Sequence, residues 1–223
     1  MEQLNTVLKT LRFLESLGFE YIPKIDLRYL NPKTRLLESI RQEIGDCRRC
    51  RLSEKRKSIV FGEGDPDASL LFIGEAPGEE EDIQGRPFVG EAGQLLTRLI
   101  QKMGFKREEL YIANIVKCRP PQNREPFEDE IETCIPFLKK QIDIIKPSVI
   151  MTLGAVATRS LLFPFAKKRE GITQWRGKIY YYNNIPVVPT FHPAYLLRNP
   201  KDKKLTWQDA QLVLRILEDR LKA

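Results

Sequence analysis

The chain has 223 residues, of which 42% are hydrophobic and 30% are charged, a composition that excludes a disordered or fibrous protein. No apolar run reaches the roughly 20 residues that a membrane-spanning helix needs, so we expect no membrane partner. The net charge of +7 favours a polyanionic partner such as nucleic acid, with a merely basic protein as the alternative. We see no secretory signal at the N-terminus and expect a cytoplasmic location, where thiols stay reduced.

The N-terminal region has a helical pattern followed by an irregular stretch. Leucine and valine recur every three to four residues between positions 4 and 14, which predicts an amphipathic helix over residues 3–17 that ends at Gly18. Residues 21–34 show no clear periodicity, and we interpret them as a linker. A second helix is predicted from Lys33 to Ile44, directly before the first cysteine.

Short apolar runs alternate with helical stripes along the rest of the chain. Strands are predicted over residues 69–73, 111–116, 148–153 and 186–190, with a further edge strand over 180–183. Pro136 is expected to kink its helix or to split it just after Cys134. The motif Thr206-x-x-Asp209 resembles a capping box at the start of a C-terminal helix. The alternation predicts a three-layer α/β/α sandwich around a mostly parallel, four-stranded sheet.

The segments that follow the predicted strands are expected to meet in one cleft, because ligands bind beyond the carboxyl ends of parallel strands. The first strand ends in the loop Gly74–Gly78, whose glycines allow the backbone to approach a ligand closely. Asn114–Arg119, Gly154 and Phe191–Pro193 follow the other three strands. An ordinary turn with a solvated acidic patch is the alternative interpretation of the first loop, since Glu79–Asp82 follow it.

The four cysteines form one close pair and one distant pair. Cys47 and Cys50 are a C-x2-C motif, and fifteen residues separate Cys118 from Cys134. Four thiolates suit a structural zinc ion or an iron–sulfur cluster. The distant second pair counts against a two-knuckle zinc ribbon, so we favour the cluster over zinc and free thiols. Such a site would join the N-terminal segment to the loop after the second strand.

Four motifs in chain order resemble the family 4 uracil-DNA glycosylases. They are Gly74-Glu75-Ala76-Pro77-Gly78-x-x-Glu81, Gly85–Gly90, Asn114–Pro121 with Cys118, and His192-Pro193-Ala194-Tyr195. The resemblance covers about Cys47 to Arg220 and implies a structural 4Fe-4S cluster on the four cysteines. It implies hydrolysis of the N-glycosidic bond of uracil in DNA after the base is flipped out. Residues 1–35 are left as a helical extension and linker, and residues 36–223 are expected to form one domain.

Three side chains are expected to hold the base. Phe88 would stack on the uracil ring. Asn114 would pair with O4 and N3–H of uracil, a donor and acceptor pattern that cytosine reverses. His192, the only histidine in the chain, would donate to O2 as negative charge grows there. The structural alternatives are a core phenylalanine, an asparagine bonded to backbone at a strand end, and a structural histidine.

The loop that positions the attacking water would contain Glu75 and Ala76, which are also expected to bind uracil. Some related glycosylase families have an aspartate where Ala76 stands, so the resemblance does not supply a direct carboxylate base at that position. The water is therefore expected to be held by Glu81, Asn123 or backbone groups, with carboxylates stabilising the cationic sugar. Gly78 stands where the family has an aromatic residue that excludes thymine, so another group such as Glu81 would block the C5 methyl.

The residues after the histidine motif are expected to contact DNA. Leu196 and Leu197 could fill the gap left by the flipped base, and Arg198 begins a basic run that would bind phosphates. We expect the protein to act as a monomer on uracil-containing DNA, single- or double-stranded. The alternatives are a non-catalytic iron–sulfur module that binds nucleic acid, and a glycosylase for another deaminated base.

Overall fold

The structure is a computed structural model that describes residues 9–10, 12–18, 31–162 and 170–222. Residues 12–16 are helical and are followed by Gly18 with a φ of +82°, which agrees with the predicted end of the first helix. The start of that helix and residues 21–30 of the predicted linker lie outside the described residues. Residues 32–34 of that linker are part of a helix that spans Pro32–Ile44, which confirms the helix predicted from Lys33 to Ile44. None of the helices in the described ranges is both long and apolar enough to cross a membrane.

Eight helices and six strands follow in the described part of the chain from residue 31 onward. The helices are α1 (Pro32–Ile44), α2 (Glu79–Gln84), α3 (Glu91–Lys102), α4 (Glu128–Ile145), α5 (Ala155–Leu162), α6 (Ile172–Trp175), α7 (Pro193–Arg198) and α8 (Lys203–Lys222). The strands are β1 (Glu63–Gly64), β2 (Leu70–Gly74), β3 (Tyr111–Asn114), β4 (Val149–Leu153), β5 (Tyr180–Tyr182) and β6 (Ile185–Thr190). Short 3-10 turns lie at Arg51–Glu54, Arg107–Glu109, Pro121–Asn123 and Pro200–Asp202.

The sheet has six strands in the order β1-β3-β2-β4-β6-β5, so the prediction of four strands was too low. The four predicted core strands are parallel, and β1 and β5 pair antiparallel at the two edges. The edge strand β5 was predicted, whereas β1 was missed because two residues, Glu63 and Gly64, carry no periodicity. The mixed, mostly parallel α/β sheet is confirmed.

Helices cover both faces of the sheet, which makes the three layers. Every residue of β2 is buried, as expected for a strand with packing on both sides. Leu71 and Ile73 face a core that includes residues of α1, α4 and α5. Leu70 and Phe72 face the other core, with residues of α3 and α8.

The helix α4 runs without a break from Glu128 to Ile145, so the split predicted after Cys134 did not occur. Pro136 removes one backbone hydrogen bond and typically costs about 3 kcal/mol in a helix interior. The helix buries Ile135, Leu138 and Ile142 around this position, and that burial offsets the cost.

The capping box predicted at Thr206 was wrong, because α8 begins at Lys203 and Thr206 lies inside it. The Asp209 carboxylate instead accepts hydrogen bonds from Thr190 (2.7 Å) and from Arg176 (2.7 and 3.1 Å). Asp209 is 1% exposed, so this bonding ties α8 to the end of β6, two residues before His192.

Candidate active site

The predicted site residues come together where the parallel strands β2 and β3 end side by side. Gly74 and Asn114 are opposite each other in the sheet, and the N–H of Ile115 donates to the carbonyl of Gly74 at 2.9 Å. A Cβ atom on Gly74 would lie 2.4 Å from Asn114 Oδ1 and 2.4 Å from Phe88 Cζ. Only glycine therefore lets the asparagine amide and the phenylalanine ring meet at this point.

Asn114 is 1% exposed, and its buried Oδ1 has no hydrogen-bond partner among the described residues. Leaving a buried acceptor unpaired costs about 1–3 kcal/mol. The contacts do not supply the backbone partner that a purely structural asparagine would have. Such an acceptor is suited to a donor that arrives with a ligand.

Phe88 is held beside Asn114 by an unusual backbone conformation. Its φ is +51°, a left-handed value that costs a non-glycine residue about 1–3 kcal/mol. The start of α3 lies against it, and a Cβ on Gly93 would be only 1.9 Å from the Phe88 carbonyl oxygen. The Phe88 ring lies 5.8 Å, between centroids, from the ring of His192. The structure thus brings these two predicted residues together with Asn114.

His192 precedes α7, and its Nδ1 accepts a hydrogen bond from the backbone N–H of Ala194 at 3.1 Å. The proton of the neutral ring is therefore on Nε2. Burial lowers the pKa of His192 to about 4, with Arg198 acting in the same direction and Glu81 opposing it. Gly154, at a φ of +94°, leaves room for the histidine, because a Cβ there would be 3.1 Å from His192 Cβ.

Glu81 closes the loop around the pocket. Its carboxylate accepts backbone N–H bonds from Gly78 (3.0 Å), Val89 (2.8 Å) and Gly90 (2.9 Å). These bonds join the loop after β2 to the residues on the C-terminal side of Phe88. The sequence did not predict this positioning task, and the roles in water activation and thymine exclusion stay predictions.

The cysteine region belongs to the core that contains Leu71 and Ile73, whereas Phe88 belongs to the core on the other side of the sheet. The thiols of all four cysteines line one small cavity, together with apolar side chains such as Ile44 and Phe137. In the part of the chain that the structure describes, no group of three or more Cys, His, Asp or Glu side chains is placed so that it could hold a metal ion. The structure therefore gathers the four cysteines without by itself defining a metal site.

Donors surround the sulfur atoms in this cavity. N–H groups donate to three of the four sulfurs: Arg49 to Cys47 (3.2 Å), Arg56 to Cys118 (3.6 Å) and the backbone of Lys117 to Cys134 (3.2 Å). Burial raises the pKa of Cys118 to about 12, so a cation that binds this thiol must displace its proton. Convergent thiols with N–H donors fit a thiolate-bound cofactor.

Comparison with known proteins gives concordant matches. The model of the uracil DNA glycosylase superfamily matches residues 61–211. The type-4 uracil-DNA glycosylase of Sulfurisphaera tokodaii is 47% identical, over 78% of this chain and 81% of that protein. Those of Saccharolobus solfataricus and Thermotoga maritima are 48% and 49% identical, over 82% and 74% of this chain and 88% and 84% of their own lengths. This chain belongs to the type-4 uracil-DNA glycosylases.

Two carboxylates of this type-4 glycosylase were predicted to be catalytic, Glu75 and Glu81. The Glu81 carboxylate already accepts three backbone hydrogen bonds, whereas that of Glu75 does not. Burial raises the pKa of Glu75 to about 7, and Glu125 adds to the rise while Arg159 opposes it. No hydrogen bond to its carboxylate is present among the described residues. Ala76 is partly buried and packs against the core, which leaves only its backbone for contact with water or base.

Asn123 is the last residue of the 3-10 turn Pro121–Asn123. Its Oδ1 accepts a hydrogen bond from Arg119 Nε at 2.8 Å, and the residue is exposed with a φ of +56°. The side-chain oxygen therefore already has a partner in this conformation. A role for Asn123 in holding water stays a prediction.

The predicted DNA-contacting residues differ in how far they are exposed to solvent. Leu196 is 4% exposed and lines an apolar cavity with Leu99 and Trp207. Leu197 is partly buried and Arg198 is exposed. Leu196 would have to leave its place to enter DNA, whereas Leu197 is the more accessible of the two leucines; DNA contact by these residues stays a prediction. The sequence could not separate the two leucines, because their directions depend on how α7 packs on α3.

The sequence reasoning also missed residues that support the glycosylase site. Gly93 lets α3 approach Phe88, and Asp209 anchors the strand end before His192. A signal for Asp209 was present, since it lies on the apolar stripe of α8 beside Ala210 and four residues before Val213. For Gly93 the only signal was a glycine inside a helical pattern.

Proposed function

We propose that this chain hydrolyses the N-glycosidic bond between uracil and deoxyribose in DNA. The products are free uracil and an abasic site, which begins base-excision repair. The single observation that carries the proposal is Asn114, whose buried Oδ1 has no described partner and lies beside Phe88. The similarity to type-4 uracil-DNA glycosylases over most of the chain supports the same reaction.

Asn114 would select the base. Its Oδ1 accepts from N3–H of uracil, and its Nδ2 donates to O4. Cytosine has an amino group at position 4 and no proton on N3, so both contacts would face the wrong partner. When a ligand leaves the polar groups of a buried site unpaired, the enzyme discriminates against it by a large factor in kcat/KM. Phe88 would add stacking worth about 1–3 kcal/mol for the flipped base.

His192 would stabilise the leaving group. As the glycosidic bond breaks, negative charge develops on uracil O2, and Nε2–H of the neutral imidazole can donate to it. The hydrogen bond from Ala194 to Nδ1 orients the ring for this task. Since the pKa of His192 is lowered to about 4, the ring stays neutral at physiological pH.

Glu75 would act on the sugar side of the bond. The deoxyribose becomes cationic as uracil leaves, and a desolvated carboxylate nearby stabilises that charge. With a pKa raised to about 7, Glu75 changes from the neutral to the charged form as the pH rises through neutrality. The backbone of Ala76, with Glu81 or Asn123, would hold the attacking water.

DNA binding would use the surface after the histidine. Leu197 would fill the space of the flipped base, and Arg198 would contact phosphate, which makes binding sensitive to salt. We propose a monomer in the cytoplasm that acts on single- or double-stranded DNA. Residues 1–35 would be a separate extension of the single glycosylase domain.

We further propose that Cys47, Cys50, Cys118 and Cys134 hold a structural 4Fe-4S cluster, with zinc as the alternative. When bound, the cluster would supply a cross-link between the segment after α1, the connection after β3 and α4. Purified protein should show an absorbance shoulder near 400 nm, roughly as expected for thiolate-to-iron charge transfer, together with bound iron. A colourless protein that contains zinc would contradict the cluster.

The activity is tested with an oligonucleotide that contains one uracil, followed by alkaline cleavage at abasic sites. Strand cleavage is expected at the uracil and not in matched oligonucleotides with thymine or cytosine there. A His192→Ala variant purified in the same way controls for a contaminating host glycosylase. Absence of cleavage by cluster-loaded protein would overturn the proposed function.

A further inference from the structure

Lys117 lies between the pocket and the cysteine cavity, three residues after Asn114 and next to Cys118. Its side chain is 1% exposed and is among the largest fully buried side chains. Burying an ammonium group is costly unless its hydrogen bonds are satisfied. Within the described ranges no carboxylate pairs with it. Lys117 also lines the cysteine cavity, but neither the cleavage steps nor thiolate ligation uses its ammonium group.

The ammonium group donates to two acceptors of different kinds. One is the backbone carbonyl of Asn114 at 3.1 Å, and the other is Gln141 Oε1 at 2.7 Å. Gln141 is fully buried, and its amide nitrogen donates to the Phe61 carbonyl (3.0 Å) and to the Tyr111 hydroxyl (3.3 Å). Because the nitrogen is directed to these groups, the oxygen of Gln141 is directed to Lys117. The core thus holds the lysine in one place.

The bond to the Asn114 carbonyl bears on how the Asn114 side chain is presented. Oδ1 of Asn114 has no described partner, so the direction of the amide depends on the backbone that carries it. On one side the sheet fixes that backbone, through the N–H of Ile115 and the carbonyl of Gly74. On the other side Lys117 holds the carbonyl of Asn114 itself.

We propose that Lys117 is a positioning residue for uracil recognition, which holds the Asn114 backbone so that its amide faces the base. The inference rests on the proposed function of Asn114. The backbone N–H of Lys117 also donates to Cys134 Sγ at 3.2 Å. The same residue therefore contacts both Asn114 and the cysteine cavity.

The test uses the full-length holoprotein with Lys117→Met, which keeps an unbranched apolar stem and removes the donors. The single-turnover rate of uracil release is expected to fall by about 100-fold, the typical cost of a misplacement of about 1 Å. The inhibition constant for free uracil is expected to rise roughly tenfold, because its pairing group is no longer held. Affinity for DNA that contains an abasic site is expected to stay unchanged.

The matched control is Tyr111→Phe, which removes a hydroxyl that accepts from Gln141 in the same buried network but leaves both acceptors of the Lys117 ammonium group in place. This control is expected to lower the melting temperature while keeping uracil inhibition within about twofold of the original protein. All rates and inhibition constants are normalised to the fraction of folded protein, measured by circular dichroism, and to the content of iron–sulfur cluster, measured by its absorbance. If Lys117→Met does not fold, Lys117→Leu, which also removes the donors and keeps an apolar side chain in the core, takes its place.

Equal loss of uracil inhibition in both variants would show that the network is only structural and would overturn the proposal. Unchanged uracil inhibition in the lysine variant would do the same. If the unaltered protein itself neither excises uracil nor is inhibited by it, the proposed function fails, whatever the variants do. The two failures are therefore distinguishable.

Discussion

Replacing Gly74 with alanine is expected to disable the pocket by steric crowding. The added Cβ would lie 2.4 Å from both Asn114 Oδ1 and Phe88 Cζ. Carbon atoms in contact prefer about 3.5–4.0 Å, so the amide or the ring must move by roughly 1 Å. A shift of that size costs about 100-fold in rate, and the crowding costs about 1–3 kcal/mol of stability. The assay is the single-turnover release of uracil from a defined oligonucleotide.

Gly171→Ala is the matched control for this substitution. Gly171 has an ordinary φ of −83°, and a Cβ there meets, among the described residues, only Thr173 Oγ1 at 3.8 Å. The control is expected to keep the original rate. If Gly74→Ala also keeps its rate within about threefold, uracil does not occupy the space between Asn114 and Phe88. That result would refute the pocket assignment.

Three further predictions concern single side chains. Asn114→Asp is expected to reduce the discrimination against cytosine, measured with matched oligonucleotides; unchanged selectivity would contradict the assigned pairing. The cleavage rate is expected to rise with pH around 7 as Glu75 loses its proton. In Glu75→Gln the rate should not depend on pH down to about pH 5, because His192, with its pKa near 4, stays neutral. A titration near pH 6.5 in that variant would count against a neutral histidine. Asp209→Ala is expected to lower the unfolding free energy by about 3–5 kcal/mol in urea titrations, because it breaks the buried ion pair with Arg176. The control Glu38→Ala breaks an exposed ion pair with Arg41 and should lower it by at most about 1 kcal/mol. Similar losses for these last two would contradict the argument from burial.

Much of the architecture was predictable from local patterns. The runs at β2, β3, β4 and β6 are short and apolar, and their alternation with helical stripes indicates a parallel sheet. A two-residue strand such as β1 carries no such pattern, so the sheet was predicted too narrow. The helix around Pro136 is not split, because burial of the flanking apolar residues outweighs the local preference of proline.

The tasks of individual polar residues were harder to predict. Glu81 stood out as an acid in the loop, but its three backbone contacts arise only when the segment around Val89 folds against it. Asp209 looked like part of a helix cap and instead bonds β6 and Arg176. A carboxylate accepts whatever donors the fold brings near it, and local sequence does not contain that information.

The chemical groups available at the site, and the strand ends that carry them, can be read from the amino-acid sequence. These groups belong to the covalent structure and do not depend on how the chain folds. They are Gly74, Gly154, the amide of Asn114, the ring of Phe88 and the single histidine. The tertiary structure alone decided that the amide oxygen of Asn114 is buried without a described partner and that Leu196 faces inward. It also decided that Lys117 lies between Asn114 and Gln141. The physical reason is that burial and hydrogen-bond partners arise from residues distant in the chain, whose approach depends on how the helices pack on the sheet.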